Sequence, residues 1–145
     1  MSSPYRVGRL RWVFLDSAAY LALANTSDVY HQQAQAIRTR LQQERWRNFT
    51  TNFVLAETHA LFLVRLGQAA AAAFLREILR SNTTVVRIRA ADEEHALTII
   101  FQYQDKDFSL TDATSFSVME RLGMTTAFTF DRHFAQYGLA ILTAR

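Results

Sequence analysis

The low content of cysteine, proline and glycine limits the kinds of fold that this 145-residue chain can adopt. The chain has no cysteine, one proline and four glycines, which excludes disulfide frameworks, thiolate metal sites and low-complexity linkers. No apolar run approaches the roughly 20 residues that span a bilayer, and the first residues lack the apolar core of a secretory signal. We therefore expect one compact domain over residues 1–145, with 1–10 as a flexible arm, located in the cytoplasm and not in a membrane.

Lysine is also nearly absent, since Lys106 is the only lysine among 16 basic residues. The basic residues stand against 13 acidic ones, and the formal charge of +3 favours a polyanionic partner only weakly. Arginine suits bidentate contacts with phosphate, but codon bias explains the arginine content equally well. The charge alone therefore leaves the class of partner open.

Short β-prone runs alternate with helical patterns along the whole chain. The apolar and β-branched runs predict strands over 11–15, 48–51, 84–88, 126–130 and 139–142. The remaining periodicity predicts helices over 18–24, 30–44, 53–66, 68–80, 91–103 and 111–122, with Asn52 as the N-cap of the third. This alternation predicts an α/β fold, a three-layer sandwich with a central, mostly parallel sheet.

Two acidic residues stand where predicted strands end. Asp16 follows the first strand and Asp131 follows the fourth. In open parallel sheets ligands bind outside the carboxyl ends of the strands, so two such carboxylates share an edge if their strands are neighbours. The alternative is that each aspartate only caps the next helical turn.

Asp112 and Glu57 are the other two candidate acids. Asp112 begins a predicted helix, where capping is again an alternative role. Glu57 lies on a helix that is apolar nearly all round, with Phe53, Val54 and Leu61 at helical spacing. We therefore expect the Glu57 carboxylate to be buried, and a buried carboxylate needs either an arginine or a shared cation as its partner.

If these four acids converge, a metal ion would relieve their mutual repulsion. Ligation by oxygen alone is the preference of Mg²⁺ or Mn²⁺, and such ions activate water for phosphodiester cleavage. The pattern therefore favours a metal-dependent nuclease, although convergence does not follow from spacing alone.

Four segments that contain these acids also resemble one known family, the PIN domain, and within it the small VapC-type toxins of bacterial toxin–antitoxin pairs. The resemblance covers nearly the whole chain and rests on segments in the same order and at similar separations. They are Val-Phe-Leu-Asp-Ser-Ala at 13–18, Thr-Thr-Asn-Phe-Val-Leu-Ala-Glu at 50–57, Phe-Ser-Leu-Thr-Asp-Ala-Thr-Ser at 108–115, and Thr-Phe-Asp-Arg-His-Phe at 129–134.

The resemblance implies a PIN-like fold and a ribonuclease that depends on Mg²⁺ or Mn²⁺. It assigns the catalytic, metal-holding cluster to Asp16, Glu57, Asp112 and Asp131, and it gives Ser17 and Thr129 at most a supporting role. It also implies an RNA substrate, an antitoxin partner and a homodimer, to which the alanine-rich stretch 68–79 adds an apolar surface. Two alternatives stay open: a non-catalytic PIN-like module that binds RNA or protein, and an orphan housekeeping nuclease.

Several other residues receive structural roles at this point. We expect His31, His59 and His95 to be structural or solvated, and His133 to pack the turn after Asp131. Asp105 and Asp107 are expected on the surface, although either one is a possible extra ligand. A second open question is whether Trp46 and Phe49, beside Arg45 and Arg47, form a patch that stacks on bases, or whether Trp46 only anchors a turn.

Overall fold

The structure, a computed structural model, describes residues 10–145, so the predicted N-terminal arm lies outside the described residues except for Leu10. Five strands and seven helices alternate along the described chain. In order they are β1 (Trp12–Leu15), α1 (Ser17–Ala24), α2 (His31–Gln43), β2 (Arg47–Thr51), α3 (Asn52–Leu66), α4 (Gln68–Arg80), β3 (Thr84–Val86), α5 (Ala90–Gln102), α6 (Leu110–Leu122), β4 (Thr126–Phe128), α7 (Arg132–Tyr137) and β5 (Ala140–Ile141).

The five strands form one parallel sheet in the order β3-β2-β1-β4-β5. Strand β1 is central, and its residues 13–15 are almost fully buried, as expected for a strand covered on both faces. The order reverses at β1, which pairs with β2 on one side and with β4 on the other. A reversal of this kind opens a crevice at the carboxyl ends of the two strands.

The helices cover both faces of the sheet. Crossovers between parallel strands are right-handed, so α1 to α4 lie on one face, and α5 to α7 lie on the other. On the second face, Phe14 of β1 stacks on Phe134 of α7, and Phe116 of α6 meets Phe134 edge-on. The predicted three-layer α/β sandwich is confirmed, and the sheet is entirely parallel. In the part of the chain that the structure describes, no helix combines the length and hydropathy needed to cross a membrane.

Helix α3 differs from its prediction in two ways. Its N-cap is Thr51, whose Oγ1 accepts the N–H of Val54, and the side chain of Asn52 instead accepts the N–H of Ile88. Only the stripe made by Val54, Thr58 and Phe62 is buried, although the sequence suggested a helix buried all round. Leu55, Leu61 and Leu66 are only partly buried against the core, and Leu63 and Val64 are exposed.

Candidate active site

Strand pairing brings the first two candidate acids to one edge of the sheet. Leu15 at the end of β1 lies opposite Phe128 at the end of β4, so the residues that follow these strands are neighbours. Thr129 Oγ1 donates a hydrogen bond of 2.6 Å to Asp16 Oδ2, and the backbone N–H of Asp131 donates to the same Thr129 Oγ1 at 2.9 Å. The expectation that Asp16 and Asp131 share the carboxyl edge of parallel neighbours is confirmed.

Asp16 is a buried carboxylate, with 5% of its surface exposed. It caps α1 by accepting the N–H of Ala19 at 3.0 Å. Burial raises the pKa of Asp16 to about 7; the hydrogen bonds from Thr129 and Ala19 oppose this shift, and the negative charges of Asp131 and Asp112 add to it. The capping role and the clustering of carboxylates are therefore both present at this residue.

His133 joins Asp112 to Asp131. Its Nδ1 lies 2.9 Å from Asp112 Oδ2 and 3.1 Å from Asp131 Oδ1. When both aspartates are ionised they only accept hydrogen bonds, and Nδ1 is then the atom that carries the hydrogen. One potential ligand atom from each of the three residues lies within 4.8 Å of the other two, which is compact enough to surround one cation.

Both of these aspartates also cap helices. Asp112 accepts the N–H of Ser109 at 3.1 Å in a capping box at the start of α6, and Asp131 accepts the N–H of His133 at 2.9 Å at the start of α7. Burial raises the pKa of Asp112, and the charge of Asp131 contributes to the rise. These bonds occupy Oδ2 of Asp112 and Oδ1 of Asp131, and no hydrogen bond from residues 10–145 reaches the other oxygen of either one.

Glu57 reaches the same edge from α3 but is exposed, so the expectation of a buried carboxylate is wrong. Its Oε1 accepts a 2.8 Å hydrogen bond from Ser17 Oγ, the residue directly after Asp16. No arginine within residues 10–145 forms an ion pair with Glu57, and its hydrogen-bond partner is a serine hydroxyl. Glu57 lies at the margin of the cluster, outside the compact group formed by Asp112, Asp131 and His133.

No arginine or lysine within residues 10–145 forms an ion pair with Asp16, Asp112, Asp131 or Glu57. Asp16, Asp112 and Asp131 are close together, Asp16 and Asp112 are buried, and at least two of the carboxylate oxygens accept no hydrogen bond from residues 10–145. A hard divalent cation that takes oxygen ligands fits such a donor set. The residues present therefore suit Mg²⁺ or Mn²⁺.

His133 is the site residue that sequence reasoning missed, because it was expected only to pack a turn. It does contact the ring of Phe108 edge-on, but it also bridges two carboxylates. Its position two residues after Asp131 at a helix N-terminus was the only available signal. Elsewhere, His31 bonds the carbonyl of Ala22 and has the structural role expected of it.

The remaining sequence candidates lie away from the cluster. Asp105 and Asp107 are exposed, and Asp105 pairs with Lys106. The patch that combined Trp46 with Phe49 is wrong in its second member, because Phe49 is 1% exposed and packs between Trp12 and Phe14. Trp46 donates its indole N–H to Glu44 across the turn that precedes β2, which agrees with an anchoring role.

The fold and the site together define a class of protein: an α/β domain whose parallel sheet gathers carboxylates at the carboxyl edge of its central strands. The chain belongs to the PIN domain family, whose model matches residues 13–139. These residues include all four acids named from the sequence, β1 from Val13 onward, and all of β2, β3 and β4, whereas β5 follows the matched segment.

Relatives of known name lie within the VapC group of this family. The chain is 31% identical over 131 residues to the 23S rRNA-specific endonuclease VapC20 of Mycobacterium tuberculosis, covering 87% of this chain and 94% of the relative. It is 27% identical over 124 residues to ribonuclease VapC26 of the same species, covering 85% and 90%.

Solved structures agree with these sequence relatives. The crystal structure of M. tuberculosis VapC20, a Sarcin-Ricin loop cleaving toxin, superposes with a TM-score of 0.82 at 32% identity, covering 90% of this chain and 98% of that one. The DNA-bound VapBC of Salmonella typhimurium superposes with a TM-score of 0.69 at 14% identity, covering 94% and 100%, and it supports the fold alone.

Proposed function

We propose that this protein is an endoribonuclease of the VapC toxin type that hydrolyses RNA phosphodiester bonds with Mg²⁺ or Mn²⁺ as its cofactor. The observation that carries the proposal is the group formed by Asp16, Asp112 and Asp131, in which two buried carboxylates and one partly buried carboxylate lie close together without an arginine or lysine partner in residues 10–145. Similarity to the ribonucleases VapC20 and VapC26 supports the choice of RNA over other phosphodiesters.

Each acid contributes to the site through atoms that the fold already holds in place. Asp16 is fixed by Thr129 and by the first turn of α1, so Thr129 supports the cluster. Asp112 and Asp131 are fixed by their own helix caps and by His133, and each keeps an oxygen for a ligand. Such preorganisation avoids the cost of ordering side chains when substrate binds.

Asp16, Asp112 and Asp131 are the residues that would hold the cation, and Glu57 would join them from the margin of the site. A bound Mg²⁺ or Mn²⁺ ion supplies an acidified water and stabilises the negative charge that builds on the phosphate during in-line attack. The surrounding groups would hold the carboxylates in fixed positions around one point. The carboxylates themselves would accept protons that are released there. Ser17 would orient Glu57 through its 2.8 Å hydrogen bond.

The partner assignments extend the same proposal. As a toxin of this type the protein would act on RNA in the cytoplasm and would be neutralised by an antitoxin encoded beside it.

Self-association as a homodimer is also proposed. On α4 the side chains of Ala71, Phe74 and Ile78 face the core, whereas Leu79 is 85% exposed and supplies apolar surface for a contact. Light scattering at tens of micromolar should show a dimer, and a monomer at that concentration would remove this part.

The test of the activity is cleavage of total RNA by the purified protein. We expect discrete fragments with Mg²⁺ or Mn²⁺, none with EDTA, and recovery when the cation is restored in excess. Primer extension across 23S rRNA then asks whether the target resembles that of VapC20. Undiminished cleavage in EDTA would contradict the metal-dependent mechanism, and the absence of cleavage under every condition would favour the non-catalytic module.

The non-catalytic alternative agrees less well with the site. A scaffold that only binds RNA or protein gains nothing from holding three carboxylates together, two of them buried, because their repulsion and desolvation reduce stability. Whether the nuclease is a toxin or an orphan enzyme is tested by co-expression with the neighbouring open reading frame. A bound antitoxin should co-purify with the protein and suppress cleavage.

A further inference from the structure

A pair of stacked aromatic rings lies beside the acidic cluster. Phe130 stands between Thr129, which holds Asp16, and Asp131. Its ring stacks on that of Tyr30, with the ring centroids 4.6 Å apart and an angle of 6° between the ring planes. Consecutive Cα atoms are about 3.8 Å apart, so this aromatic pair begins one residue from the proposed catalytic carboxylates.

Exposure increases outward along this set of rings. Phe128 is fully buried and meets Phe130 edge-on at 5.9 Å, and Phe130 is partly buried. Tyr30 is 42% exposed, and the residue before it, Val29, is 85% exposed. Core packing explains Phe128 and the inner face of Phe130, but it does not require a large ring at the solvent end of the stack.

The connection that carries Tyr30 is firmly held, although it joins two helices at the surface. Asn25 Oδ1 accepts the N–H of Ser27, and Asp28 Oδ1 accepts the N–H of Tyr30 at 2.8 Å. These are Asx turns, in which a short side chain fixes the backbone two residues further on. The next residue, His31, bonds the carbonyl of Ala22 at 2.7 Å. An aromatic ring on such a backbone loses little freedom when a ligand binds to it.

A positively charged side chain, that of Arg132, directly follows Asp131 in the sequence. Arg132 is exposed, and no carboxylate within residues 10–145 forms an ion pair with it. An exposed guanidinium is suited to bidentate contact with a phosphate group. The sequence next to the acidic cluster therefore supplies an aromatic ring and a guanidinium that has no ion-pair partner within residues 10–145. These are the two kinds of group that bind the bases and the phosphates of single-stranded nucleic acid.

We propose that Tyr30, supported by Phe130, is a platform on which an unpaired base of the RNA substrate stacks, next to the phosphate that is cleaved. The inference rests on the proposed ribonuclease function and adds a substrate class to it: RNA in a loop or single strand, because only an unpaired base offers a free face to the ring. Stacking is tolerant of sequence, so the platform positions a nucleotide and does not read its identity.

The experiment measures binding of a single-stranded oligoribonucleotide that contains 2-aminopurine, in an Asp112→Asn background that prevents cleavage. Stacking on Tyr30 quenches the 2-aminopurine fluorescence. We expect Tyr30→Leu, which keeps most of the side-chain volume, to weaken binding about 10-fold and to abolish the quenching. Tyr30→Phe and Tyr30→Trp should retain both. The matched control is Phe101→Leu, a change at a 66% exposed ring on α5, and it should alter neither quantity.

Several results would overturn the platform. Binding and quenching by Tyr30→Leu equal to those of the parent protein would do so, as would equal losses in the Leu, Phe and Trp variants, which would indicate a structural role. Thermal unfolding of each variant identifies any that lose the fold. Unchanged RNA binding combined with weaker binding of an antitoxin would mean that the rings contact a protein instead. Cleavage of RNA by the unmodified protein is a separate readout, so failure of the platform and failure of the ribonuclease are distinguishable.

Discussion

Carboxylates near the two ends of the sheet differ in whether an arginine pairs with them. Where α6 ends, shortly before the amino end of β4, Arg121 donates two hydrogen bonds to Asp92, at 2.9 and 3.1 Å. Burial alone would raise the pKa of Asp92, but Arg121 and the backbone N–H of Arg89 together lower it below its ordinary value. At the carboxyl end, Asp16 has no such partner among residues 10–145, and burial raises its pKa to about 7.

A second acid at the amino end follows the same rule as Asp92. Glu44 accepts hydrogen bonds from the indole of Trp46 and the guanidinium of Arg40, and it lies within 3.2 Å of Arg11 and 3.0 Å of Arg145. Trp46 and Arg40 lower the pKa of Glu44 most strongly, and Arg145 adds to the effect. The chain therefore pairs arginines with these carboxylates, whereas no arginine within residues 10–145 forms an ion pair with the acids at the carboxyl end.

This difference separates structural acids from functional ones. A carboxylate that stabilises the fold is paired, whereas a carboxylate kept unpaired against the cost of burial has another use. The rule favours Asp16 and Asp112 as functional acids without reference to any relative, since both are buried and neither forms an ion pair with an arginine or lysine within residues 10–145. It also predicts what substitution at each end should do.

The largest contrast is expected between Asp112→Asn and Asp92→Asn in RNA cleavage. Asp112→Asn removes one of the charges that hold the cation and should reduce the cleavage rate by about 1,000-fold, a loss typical of a group that stabilises transition-state charge. Asp92→Asn should leave the rate within a few-fold of the unmodified protein. Initial rates on one RNA at saturating Mg²⁺ give the comparison. An equal loss of cleavage rate in both variants would contradict the proposed difference between the two ends of the sheet.

The pH dependence of folding should also differ between the two ends. For the metal-free protein, a folded-state pKa near 7 and an unfolded pKa near 4 mean that the native state binds more protons between these values. Stability contributed by protonated Asp16 is full below about pH 4, falls as the pH rises to 7, and totals at most about 4 kcal/mol. Urea unfolding in EDTA at several pH values measures this slope, and Asp16→Asn should flatten it. A slope unchanged by Asp16→Asn would show that other groups cause it.

The fold itself should depend on the paired acid more than on the unpaired ones. Asp92→Asn leaves Arg121 without its partner, and because Arg121 is partly exposed we expect a loss of about 2 kcal/mol in the free energy of unfolding. Asp112→Asn in the absence of metal should leave that free energy unchanged or raised, since it relieves repulsion from Asp131. Urea unfolding at pH 7.5 in EDTA compares them. Greater destabilisation by Asp112→Asn than by Asp92→Asn would reverse the rule.

The smallest effect is expected at the margin of the site. Glu57 is exposed and is held by one hydroxyl, so Glu57→Gln should reduce cleavage by about 10- to 100-fold and Ser17→Ala by about 10-fold. Ser27→Ala, a change at an exposed serine in the connection before α2, is the matched control and should have no effect. Activity of Glu57→Gln equal to that of the unmodified protein would remove Glu57 from the site.

The sequence predicted those parts of the site that depend on strand ends and helix starts. Asp16 and Asp131 could be placed because β1 and β4 are short apolar runs that each stop close to an acid. Sequence spacing could not show that β1 and β4 pair directly, and this pairing is what brings the two carboxylates together. The connection between them depends on Thr129, which sequence reasoning assigned only a supporting position.

The wrong predictions have a common physical cause, because each depends on tertiary packing that the local sequence does not show. The apolar neighbours of Glu57 on α3 suggested burial, but the same helix exposes apolar residues such as Val64 as well as polar ones. The patch that was left open for Trp46 and Phe49 requires an exposed phenyl ring, yet Phe49 packs into the core from β2. For His133, only the tertiary packing of α6 beside α7 decides that the imidazole reaches Asp112.

The most direct test of the difference between the two ends is the titration of the Asp16 carboxyl carbon by NMR, with and without Mg²⁺. We predict a pKa near 7 in the metal-free protein and a value below the ordinary one for aspartate when Mg²⁺ is bound, because the cation replaces the missing positive partner. The Asp92 carboxyl, titrated in the same spectra, should have a low pKa in both conditions. An ordinary pKa for Asp16 that Mg²⁺ does not change would contradict the account.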